Sequence, residues 1–139
     1  MGPGYGYEAA NFFNGWGYNT CTGCSKSGCN VPFPHHAWYE FTGWHIPARF
    51  SFTRTSSTNT PKTWKFIGSP DKNCDQASSW TELCGDLAGI DMYNGAIISC
   101  DVPKYARKQF RCLGIRVFSN NWSNANSSCM IDLRFWEVL

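Results

Sequence analysis

Arg54, Lys62 and the adjacent pair His35 and His36 are the side chains best suited to hold a polar ligand. Guanidinium, ammonium and imidazole groups donate hydrogen bonds to hydroxyls, and the chain's many Trp and Tyr rings offer apolar faces against which a ring-shaped ligand can stack. Each residue also has an ordinary reading. Arg54 and Lys62 flank a turn-forming run, where they would be solvated, and His35 and His36 stand just before a strand, where they would be satisfied loop histidines.

The cysteines are the next reactive group. Cys21, Cys24, Cys29, Cys74, Cys84, Cys100, Cys112 and Cys129 make an even number at high density, which fits an oxidising compartment in which thiols pair. Cys21, Cys24 and Cys29 with the histidine pair also have the composition of a zinc site, but oxidation to disulfides competes directly with thiolate ligation. The pairing does not follow from spacing. Local bridges are expected, with Cys74 to Cys84 across one turn and Cys100 to Cys112 or Cys129 across neighbouring strands, each contributing about 2–4 kcal/mol.

Catalytic constellations are missing from the sequence: it holds no Gly-x-Ser-x-Gly elbow, no phosphate loop and no zinc-protease helix, and its acidic residues are scattered. A non-catalytic protein is expected. Twelve Lys plus Arg against ten Asp plus Glu give a net charge of +2, too small a field to select nucleic acid. Lys104, Arg107, Lys108 and Arg111 form a basic cluster that reads either as a contact for anionic glycans or as a solvated strand edge that discourages aggregation. No run approaches the ~20 apolar residues of a membrane helix. Met1 to Tyr5 lacks the features of a signal peptide, so a mature or recombinant chain is expected. Two glycosylation tripeptides, at Asn121 and Asn126, agree with secretion.

Alternating strands are the elements that must position these residues. Ile46, Ala48, Phe50 and Phe52 alternate with more polar neighbours, as do Leu113, Ile115 and Val117, and Ile131, Leu133 and Phe135. Shorter strands are expected over 38–42, 63–68, 80–84 and 96–100, with turns over 55–61 and 69–78. One-sided strands must bury their apolar faces against a second sheet, so the expected fold is an all-β sandwich of about eight antiparallel strands, a single disulfide-stapled domain over 1–139.

The stretches Trp38-Tyr39-Glu40-Phe41, Trp64-Lys65-Phe66-Ile67-Gly68-Ser69-Pro70-Asp71, Trp80-Thr81-Glu82-Leu83, Phe110 to Ser119 and Ile131 to Val138 run in an order that resembles the discoidin-like (coagulation-factor C-type, galactose-binding-like) family. The resemblance implies a jelly-roll sandwich. It implies a calcium loop at Ala9 to Gly15, where Asn14 replaces the usual aspartate, with Glu137 as the carboxylate on the last strand; calcium favours such oxygen donors. The fucose-binding pattern of the family's lectins is broken after Arg54 by Ser56 and Pro61. The expectation is a secreted carbohydrate-binding or adhesion module with a glycan or glycoprotein partner. Two alternatives stand beside it. One is a self-associating subunit of a fibre, coat or adhesive, suggested by the Gly- and aromatic-rich opening; the other is a protein- or phospholipid-recognition module with Trp122 as its loop spike.

Overall fold

The computed structural model describes residues 20–22, 32–54, 60–85, 96–120 and 128–137. The described strands are β1 (Thr20–Thr22), β2 (His35–His45), β3 (Pro47–Arg54), β4 (Pro61–Ser69), β5 (Thr81–Gly85), β6 (Ile97–Asp101), β7 (Phe110–Asn120) and β8 (Ser128–Glu137). They form two four-stranded sheets, in the orders β1-β8-β3-β6 and β2-β7-β4-β5. Every pairing is antiparallel. The all-β sandwich read from alternation is the architecture found.

The inward rows are those the pattern marks. Phe50, Phe52, Leu113, Ile115, Val117 and Leu133 have no exposed surface. Phe50 of the first sheet stacks on Phe66 of the second at 4.4 Å between centroids and 12° between planes, and Phe52 meets Trp64 edge-on at 5.1 Å. Such pairs contribute about 0.5–1.5 kcal/mol each beyond the area they bury. These rings are the seam that holds the sheets at a fixed offset.

Close approach fixes one glycine. A Cβ on Gly114 would stand 2.2 Å from the Ala37 carbonyl oxygen, so the β2–β7 pairing admits no side chain there. Gly85 ends β5 at φ 143°, a left-handed conformation that favours glycine.

Several expectations are corrected. β2 begins at His35 rather than Trp38, so His35 and His36 are strand residues, not loop residues; the alternation extends back from Ala37 to a buried His35. Ile46 precedes β3, and a register shift between Pro47 and Arg49 leaves Ile46 and Ala48 half-buried while Phe50 and Phe52 keep the inward row. The basic cluster is not a strand edge. Lys104 lies in a short 3-10 turn, Arg107 donates to the Val102 carbonyl, and Arg111 sits on β7, an interior strand of its sheet.

The cysteine pairing also differs. Cys74 bonds Cys112 and Cys84 bonds Cys100, with Cα separations of 5.8 and 5.9 Å. The reason is layering: Cys84 and Cys100 sit on β5 and β6, the edge strands of opposite sheets, while a 3-10 turn lays Cys74 over the start of β7. Cys21 and Cys129 are register partners in β1 and β8, and Cys24 and Cys29 lie outside the described residues. The Cys84–Cys100 bond ties the two sheets along one side. Replacing both with Ser is expected to lower unfolding free energy by about 2–4 kcal/mol in urea denaturation, with the β-sheet circular dichroism retained.

Candidate functional site

Buried polar side chains mark one end of the sandwich. Among the described residues the buried polar or charged set is His35, Ser51, Arg54, Thr60, Ser69 and Asn120. Four of these, His35, Arg54, Thr60 and Asn120, occupy strand termini at the same end: the start of β2, the end of β3, the entry to β4 and the end of β7. Pro61 is the register partner of Asn120, and His35 and Trp64 both face Val117 on β7. Burying such groups is costly without hydrogen-bonding partners, so their gathering at one pole is a built feature of the fold.

The backbone explains each position. Arg54 follows Phe50 and Phe52 in the inward row of β3 and is only 3% exposed; its amide donates to the Ala96 carbonyl at 2.9 Å. It is therefore not the solvated turn residue of the ordinary reading. His35 occupies the first inward position of β2 and stacks on Phe33 at 4.1 Å. Lys62 is exposed beside them, because register shifts between Pro61 and Trp64 turn it to solvent. Thr60 and Asn120 were not singled out by sequence. Their signal is a polar residue bounding an alternating strand at a turn-forming run, a weak one because most such residues face water.

His36 goes elsewhere. It lies on the outer face of the second sheet, where Arg116 Nε donates to His36 Nε2 at 2.8 Å and Arg116 also approaches Glu82 at 3.5 Å. Burial, then the Arg116 charge, then His35, hold its imidazole below its ordinary value of 6.5. A ring that accepts from a guanidinium is neutral at that nitrogen, so His36 is a structural acceptor and does not join the His35 and Arg54 end.

Of the expected calcium pair, Asn14 lies outside the described residues, as does Trp122. Glu137 ends β8 and accepts from His45 Nδ1 at 2.5 Å. The described residues thus bring one carboxylate, already engaged with an imidazole, toward a cation that wants about six to eight oxygens. No group of three or more His, Cys, Asp or Glu suited to a metal occurs among the described residues. The described donors alone do not make a calcium site, and a bound calcium stays an expectation carried by the loop at residues 9–15.

The order of strands and the two-sheet core define an antiparallel β-sandwich of two four-stranded sheets. No family model matches the chain and no curated protein matches it. Solved structures do. The chain is similar to a family 32 carbohydrate-binding module of AlyQ solved with 4,5-unsaturated mannuronic acid, at TM-score 0.69 and 11% identity over 99% of this chain and 93% of that one. It is similar to the family 32 module of NanJ from Clostridium perfringens solved with galactose, at TM-score 0.68 and 10% identity over 97% and 89%. A chitosan-binding module of a Paenibacillus chitosanase/glucanase gives TM-score 0.67 and 11% identity over 95% and 86%. At these identities the likeness is one of fold.

The depressed His36 pKa carries a sign. The unfolded chain takes up a proton near pH 6.5 and the folded chain only at lower pH, so the unfolded state binds more protons in that window and stability falls as pH drops below about 6.5. Urea denaturation across pH 7.5 to 5.5 is expected to show this loss, and His36→Gln to reduce it.

Proposed function

We propose that this protein is a non-catalytic, extracellular carbohydrate-binding module whose sugar site lies at the end of the sandwich bearing His35, Arg54, Thr60 and Asn120. The observation that carries the reading is the concentration of buried polar side chains at that pole. Sugars are recognised by a few fixed polar groups that orient hydroxyls while an aromatic surface takes the apolar face of the ring. The buried polar groups form the floor, and exposed Lys62 supplies a cationic donor at its rim.

The fold supports the reading, since modules of this architecture have been solved with galactose and with an unsaturated mannuronic acid. The paired cysteines support an oxidising, extracellular setting. No described helix is long and apolar enough to cross a membrane. The opening segment and Trp122, which suggested self-association and phospholipid recognition, lie outside the described residues.

A glycan array with the folded protein is expected to give a defined sugar specificity. For the strongest ligand, calorimetric titration should show Arg54→Ala weakening binding by about tenfold or more, because the buried guanidinium shapes the polar floor of the site. Lys104→Ala, on the far side, should leave it unchanged. An array without any bound glycan, or an unaltered affinity in a folded Arg54→Ala protein, would contradict the assignment.

A further inference from the structure

The outer face of the first sheet carries a trough that the loop-end reading does not use. On central β3 the outward residues Ser51 and Thr53 are small: Thr53 pairs with the larger Ile97 on β6, and Ser51 lies between the small Ser99 on β6 and the large Arg134 on β8. Between Ile97 on one side and the β8 side chains on the other lies a hollow of about 170 Å³ lined by Ser51, Thr53, Ile97, Arg134 and Trp136. Arg134 and Trp136 also line a second hollow of about 210 Å³ with Phe41 and Phe135, so the two hollows share one wall across β8.

The wall is apolar surface held open to water. Ile97 is 68% exposed and Trp136 47%. Exposed apolar residues grouped on one face, rather than scattered singly, mark a contact surface. The indole also has a cationic neighbour. The Arg49 guanidinium lies 5.9 Å from its centroid and is itself tied to the Ser99 hydroxyl at 3.0 Å and the Asp101 carboxylate at 3.7 Å. Cation–π contact favours one orientation of the ring before any ligand arrives.

An oriented indole, a floor carrying a hydroxyl and a guanidinium in the same hollow match a pyranose ring that bears a carboxylate. The ring's C–H face stacks on Trp136, a hydroxyl meets Thr53, and Arg134 takes the carboxylate through paired N–H donors. We propose that this face is a second saccharide site, separate from the loop end, and that its ligand is an acidic oligosaccharide of the uronate class lying across β8 through both hollows.

The test is calorimetric titration of the whole folded protein with tetramannuronate and, in parallel, with neutral mannotetraose. Tetramannuronate is expected to bind, more weakly at high salt, and to lose about tenfold or more in affinity in Trp136→Ala and in Arg134→Gln, with part restored in Arg134→Lys. Thr53→Phe fills the trough without removing a charge and should weaken binding as well, which separates blocked access from a general loss of basic surface. Arg54→Ala should leave the uronate affinity unchanged. Failure of tetramannuronate to bind, equal binding of mannotetraose, or indifference to Trp136→Ala would each overturn the proposal. Loss in Arg54→Ala with no effect of Trp136→Ala would place the acidic sugar at the loop end, leaving the loop-end reading intact and removing this one.

Discussion

Stacking of Phe50 on Phe66 between the two sheets is the contact on which the other features depend. It sets which residues of β3 point inward, and therefore which point outward. With Phe50 and Phe52 committed to the core, the same period of two carries Arg54 into the polar end of the sandwich and leaves Ser51 and Thr53 on the outer face. Slipping β3 by one residue would turn the rings to water and destroy both surfaces together.

The polar end and the outer trough illustrate two ways a sandwich sets a surface apart. At the end, strands stop and side chains that continue the inward rows are free to be polar, because no opposing layer must be filled. On the face, the hollow comes from relief: small Ser51 and Thr53 on the middle strand beside Ile97, Arg134 and Trp136. The disulfides Cys84–Cys100 and Cys74–Cys112 stand apart from both, one closing the side between β5 and β6 and the other fastening the turn after β4 to β7. They stabilise the scaffold without entering either surface.

Much of the scaffold was legible in the sequence because burial of one face leaves a period-two trace. Leu113, Ile115 and Val117 declare themselves so, and their partners on β2 and β4 follow from the register. The site was only half legible. Arg54 could be singled out from the resemblance to the family's sugar-binding loop, but not its burial, since alternation read as apolar against polar stops at Phe52. His36 was misread with His35 because neighbours in a strand face opposite sides, and only the start of β2 at His35 reveals that they do. Disulfide pairing was beyond reach for another reason: Cys84 and Cys100 are brought together by two different sheets, and no local spacing records that.

A double-mutant cycle between Phe50 and Phe66, each replaced singly and together by Leu and followed by urea unfolding, examines the seam itself. The stacked geometry predicts a coupling of about 0.5–1.5 kcal/mol in favour of the aromatic pair. Additive effects, with no coupling between the two positions, would mean that these rings do not meet across the sheets and that the inward and outward faces of β3 are wrongly assigned.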